Sequence, residues 1–247
     1  MRHSHKILVL LFFVIGSIFL LFSQSSDSYD MTSFSFVDQR RILGIPNFMD
    51  VISNIPFLIV GLMGLIFLKN HPQKEAMWSW RVLFTGVFLV AFGSSFYHLW
   101  PAPETLLWDR LPMTIGFMGL LVAFLSEFVD KNMEKWILLP LLILGVVSVV
   151  IWYVFDDIRL YIWVQFFPLV LLPVILLLYS SPYSHKSYLL GALGFYVLAK
   201  ISELKDIQIY HITGDILSGH SLKHILAAVS VYYLYLMIKR RTRNESF

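Results

Sequence analysis

The chain has 247 residues, 57% hydrophobic and 14% charged, with a formal net charge of +3. A soluble domain of this size could not hide so much apolar surface, and the basic residues stand at the ends of apolar blocks, as topology signals do; this counts against a nucleic-acid face. Cysteine is absent, which removes disulfides, thiolate metal sites and a cysteine nucleophile together.

Residues 1–24 carry a basic start and then an apolar run from Ile7 to Phe22. They fit an uncleaved anchor or a signal peptide, and the lack of a clean small-x-small cleavage site favours the anchor. A polar loop at 25–47 follows. Seven further apolar blocks lie near 49–68, 79–100, 109–127, 136–154, 160–179, 187–201 and 217–238. Each except the shorter sixth has the length a helix needs to cross the hydrocarbon core. The sixth carries Gly191 and Gly194, which predict close helix packing. The expected fold is therefore an all-α polytopic membrane protein: a seven-helix bundle over 48–238, preceded by an N-terminal hydrophobic segment and followed by a basic tail at 239–247.

Loop charge predicts orientation. "KNHPQKEAMWSWR", "VDKNMEKW", "SSPYSHKSY" and the tail "KRRTRNESF" are basic or carry unmatched lysines. The alternate loops "PAPETLLWD", "FDDIRL" and "ELKDIQIYHITGD" are neutral or acidic. The tail is then cytoplasmic and loop 25–47 outside, with "DQRR" at 38–41 a basic patch on the wrong side. On this topology "FGSSFYHLW" ends the second span, "WDRLPM" opens the third and "GHSLKH" opens the seventh, all near the outer face.

Intramembrane polar residues are expensive and usually functional. Ser94 and His98 form an i,i+4 pair, as do His220 and His224, so each pair shares one helix face. Three neutral imidazoles from two helices can hold zinc and leave a position for water. Ser94 could bind that water or a developing oxyanion, and Asp109 could move the proton. Each piece has a plainer reading: one H-x3-H is a weak motif, serine often bonds the carbonyl four residues back, and Asp109 could be a helix N-cap. Tyr97 and Trp108 flank the cluster as entrance residues or membrane-belt aromatics, and His211 lies on the outer loop close to it in sequence.

The ordered set "SSFYH", "WDRLPM" and "GHSLKH", with "NFMDVISNIPFLIVG" and its Ser53–Asn54 pair upstream, resembles the alkaline ceramidase family of the CREST superfamily. The resemblance spans roughly residues 38–238. It implies a seven-helix bundle with zinc on His98, His220 and His224, Ser94 and Asp109 as catalytic residues, and cleavage of the ceramide amide into a fatty acid and a sphingoid base. It also implies a calcium site ahead of the first span. Here that region offers Asp38, Asn47 and Asp50 with two arginines among them, which counts against calcium. The expected partner is a lipid substrate drawn from the bilayer. A zinc-containing receptor of the same superfamily is the rival reading; the short cytoplasmic tail disfavours it. A transporter is weaker still, since no inverted repeat is visible.

Overall fold

The computed structural model describes residues 2–25, 36–185 and 187–244. Part of the outer loop (26–35) and the last three tail residues lie outside them. Ten helices occur among the described residues: α1 His3–Ser23, α2 Phe48–Ile52, α3 Ile55–Asn70, α4 Met77–Leu99, α5 Pro103–Phe128, α6 Met133–Phe155, α7 Arg159–Leu178, α8 Ser187–Leu204, α9 Asp206–Ile212 and α10 Gly219–Arg240. Eight stretches are long and apolar enough to cross a membrane, with α2 and α3 forming one of them at Phe48–Asn70. The protein is an all-helical membrane bundle, and the described residues contain only isolated β-bridges. Backbone polar groups in hydrocarbon must be satisfied within their own segment, which helices do.

The chain divides into two compact units. The first holds α1, the start of α4, most of α5, α6 and α7. Within it, Trp163 Nε1 donates to Ser17 Oγ at 2.9 Å, fastening α1 to α7. Trp80 Nε1 donates to Glu127 Oε1 at 2.6 Å, giving a buried carboxylate a partner. The second unit holds α2, α3, most of α4, the start of α5, α8, α9 and α10. Every residue of the candidate site lies in this second unit.

Lipid tails are as apolar as the helices, so small residues that let backbones approach decide helix pairing. A Cβ on Gly61 would lie 2.6 Å from Phe88 N, and one on Gly191 would lie 2.5 Å from the Tyr233 ring. These glycines hold α3 against α4 and α8 against α10. Ser230 Oγ adds a 2.6 Å bond to Ala192 O. Gly194 departs from the packing expectation: nothing lies within 4 Å of a Cβ placed there.

Three element boundaries differ from those read in the sequence. The first bundle span is broken at Ser53–Asn54. Asn54 Nδ2 and Ser53 Oγ both donate to Asp50 O, at 2.8 and 3.1 Å, and Pro56 has no N–H for the carbonyl four residues back. The third span begins at Pro103 rather than 109. Pro103 suits the first helical position, and Thr105 Oγ1 accepts from Ala102 N at 3.1 Å in capping-box fashion. Asp109 therefore sits in the body of α5, and its N-cap alternative falls. Finally, the loop before the last span contains the short helix α9.

Candidate metal centre and acid-base pair

The first turn of α10 is held from several sides. Ser218 is its N-cap, in extended conformation, and its Oγ accepts from Ser221 N at 2.9 Å. Asp206 Oδ1 on α9 accepts from His220 N at 2.8 Å. Asp50 Oδ1 on α2 accepts from Ser221 Oγ at 2.6 Å and Ser218 Oγ at 3.3 Å. Two carboxylates thus face the positive end of the helix dipole. Burial raises the Asp206 carboxyl above its ordinary value, while the bond from the His220 N–H pulls it down. Gly219 makes the approach possible, since a Cβ there would lie 2.1 Å from Ser202 O.

This docking sets His220 and His224 against His98 at the end of α4. The ring centroids are 4.9 Å apart for His98–His220, 5.2 Å for His98–His224 and 4.9 Å for His220–His224. One nitrogen from each ring falls within 4.8 Å of the other two. His98 Nε2 and His220 Nε2 are 3.3 Å apart. Two nitrogens bound to one tetrahedral zinc at ordinary bond lengths lie about 3.3 Å apart. His98 is fully buried and His224 nearly so. Ser53 Oγ lies 2.8 Å from His224 Nδ1 and 3.1 Å from Asp50 O. With the hydroxyl engaging Nδ1, Nε2 is the ring nitrogen left to face the cluster. Three imidazole nitrogens converging in this way, without a thiolate, are a fitting donor set for a metal ion such as zinc.

Asp109 arrives beside Ser94 through two local features of the sequence. Pro112 carries no N–H for the carbonyl of Trp108, so that carbonyl is released from the helix ladder. It points at Gly93 of α4, where an added Cβ would lie 2.0 Å from Trp108 O. With α5 seated this closely, Ser94 on α4 and Asp109 on α5 are brought side by side. One turn of α4 separates Ser94 from His98, so the acid-base pair and the imidazoles share a face. The structure thus brings all five sequence-predicted site residues into one region.

Other expected participants sort differently. Tyr97 is buried and Trp108 is 56% exposed. His211 is exposed and bonds Asp215 at 3.2 Å, away from the imidazoles. Each of the three oxygen-bearing residues considered for calcium has a protein partner. Arg40 grips Asp38 with Nε at 2.8 Å and Nη2 at 2.6 Å, Asn47 Nδ2 donates to His98 O at 2.8 Å, and Asp50 serves α10. The Asp38 bond also holds the Arg40 guanidinium above its ordinary pKa.

Sequence reasoning missed Phe36, whose ring lies 4.6 Å from His98 and 5.7 Å from His220, centroid to centroid. Nothing local marks it. It also passed over Lys223, Glu203 and Asp206. Lys223 did carry a signal, being a charge inside a span.

The sequence pattern of the ceramidase family matches residues 44–198 of this chain. The chain belongs to the ceramidase family. The matched stretch contains Ser53, Ser94, His98 and Asp109; His220 and His224 lie beyond it and rest on the geometry above. Among curated proteins none matches the chain. Ceramidase membership makes it a hydrolase acting on the amide bond of ceramide-type lipids within the membrane. As in any ceramidase, cleavage of that bond requires an activated water and a route for its proton, and the His cluster and the Ser94–Asp109 pair are the groups here that could supply them.

Proposed function

We propose that this ceramidase is a zinc-dependent hydrolase that cleaves ceramide, or a related N-acyl lipid, to a free fatty acid and an amine base. The observation that carries the reading is the convergence of His98, His220 and His224, with two Nε2 atoms 3.3 Å apart. A zinc ion on these three residues would supply a Lewis acid and lower the pKa of a bound water toward about 7. The residues do the rest. Ser94, packed beside Asp109, would orient its carboxylate. Asp109 accepts a proton as water adds to the amide carbon and the carbonyl π electrons move to oxygen. The C–N bond then breaks, and Asp109 returns the proton to the departing nitrogen. Ser53 keeps His224 in the tautomer that ligates. The apolar surfaces of the helices accommodate the acyl chains. The loop charges support a site near the outer face and a cytoplasmic tail.

The test uses purified full-length protein, a panel of lipid amides and metal analysis. His220→Ala should lose both zinc and turnover. Asp109→Ala should keep zinc and lose turnover. Wild-type turnover in either variant would sink the mechanism.

A further inference from the structure

An oxygen gains charge when the amide carbon is attacked, and a hydrogen-bond donor from the chain would stabilise it. We propose that Lys223 is that donor: its Nζ reaches the substrate's carbonyl oxygen and stabilises the charge that develops there. The proposal rests on the hydrolase reading above and adds a catalytic residue to it.

Lys223 lies near the start of α10, between the two histidines of that helix. A lysine near the end of a span normally turns its ammonium outward to water. This one turns inward. Its side chain is only 19% exposed, and Nζ lies 3.2 Å from His220 Nε2, the nitrogen that also faces His98. Glu203 on α8 holds it there, with Oε1 2.9 Å from Nζ. The other oxygen of Glu203 takes Lys200 at 2.9 Å, so the carboxylate is anchored within its own helix.

An ammonium has three N–H donors and no acceptor. One serves Glu203. His220 Nε2 has a single lone pair, which cannot serve both a metal ion and a lysine proton. With the ion on that nitrogen, the inward N–H of Lys223 needs a different acceptor within a few ångströms. A cation beside a divalent ion is repelled unless an anion stands between them. The carbonyl oxygen of the amide meets both requirements as it becomes negative. No proton leaves Lys223 in this step. It donates a hydrogen bond while the C=O π electrons reside on oxygen, and the bond relaxes when they return and the C–N bond breaks. A donor aimed at developing charge in a water-poor site acts chiefly on kcat.

The rival role is structural, a salt bridge tying α10 to α8. The experiment separates the two by measuring zinc release to a chelator alongside kcat and KM on a lipid amide, for wild type, Lys223→Met, Lys223→Arg and Glu203→Gln. The expected result for Lys223→Met is a full zinc complement released no faster than in wild type, because a repelling charge is gone. Its kcat should fall by a factor of about 10² to 10³ with little change in KM. Lys223→Arg should recover at least about tenfold of that loss, since a guanidinium also donates. Glu203→Gln should lower kcat less than Lys223→Met while keeping zinc. A kcat within about threefold of wild type in Lys223→Met overturns the assignment, as does a loss of turnover that tracks faster zinc release. If wild type itself cleaves no lipid amide, the hydrolase reading fails first. Zinc release then still tests the placement, because removing a cation held against the metal nitrogen should not speed release.

Discussion

Gly93→Ala separates the proton-transfer half of the site from the metal half. An alanine Cβ at this position would lie 2.0 Å from Trp108 O, against 3.4 Å for the near edge of ordinary contact. The obstacle is backbone, not the end of a flexible side chain, so α4 and α5 must part there by about 1.4 Å. The next residues along are Ser94 and Asp109. Their separation would grow, and Asp109 would move from its working position. A misplacement of about 1 Å in catalytic geometry costs on the order of 10²-fold. The three imidazoles come from the end of α4 and from α10, and none comes from α5. Gly93→Ala should therefore lower kcat by about 10² while retaining bound zinc. Gly194→Ala is the matched control, because its Cβ meets nothing within 4 Å. Steady-state hydrolysis of a lipid amide with metal analysis on the same preparations gives the answer. A Gly93→Ala protein with kcat within threefold of wild type would refute the reasoning, since the close approach would then not position Asp109.

Ser53→Ala removes the partner of His224 Nδ1 and should weaken zinc about 10- to 100-fold in chelator competition; unchanged affinity would mean the serine does not set the tautomer. Arg40→Met leaves the fully buried Asp38 without its ionic partner, at a cost of about 1–3 kcal/mol. It should lower the melting temperature by a few degrees, whereas a calcium chelator should leave wild-type activity within twofold; strong inhibition by the chelator would show that the guanidinium does not replace a cation. The chain has no cysteine, so single substitutions report topology directly. Ile212→Cys should react with an impermeant thiol reagent from outside, and Lys131→Cys only after permeabilisation; the reverse pattern would invert the assigned orientation.

The helices were legible because each span is a long apolar run with charged ends, and such runs have one stable form in lipid. The histidine cluster stood out in the sequence because imidazoles in hydrocarbon are costly. The contacts between helices were not. Gly93 and Pro112 look unremarkable singly, and only their meeting at Trp108 O shows that they seat Asp109 against Ser94. Gly191 and Gly194 look alike in sequence, yet the register of α8 on α10 puts only the first against Tyr233. The break at Ser53–Asn54 could be read as a serine-asparagine pair before a proline. Its partner on His224, 171 positions away, could not. Lys223 was visible as a charge in a span, but whether its ammonium points to water or to His220 depends on Glu203 one helix away.

The central claim is that His98, His220 and His224 hold one metal ion that this ceramidase needs for amide hydrolysis. X-ray absorption at the zinc edge on purified, active protein tests it most directly. The account predicts one zinc per chain, with three imidazole nitrogens at about 2.0–2.1 Å and loss of that signature together with turnover in His224→Ala. Metal-free protein that hydrolyses the lipid amide at the wild-type rate would contradict it.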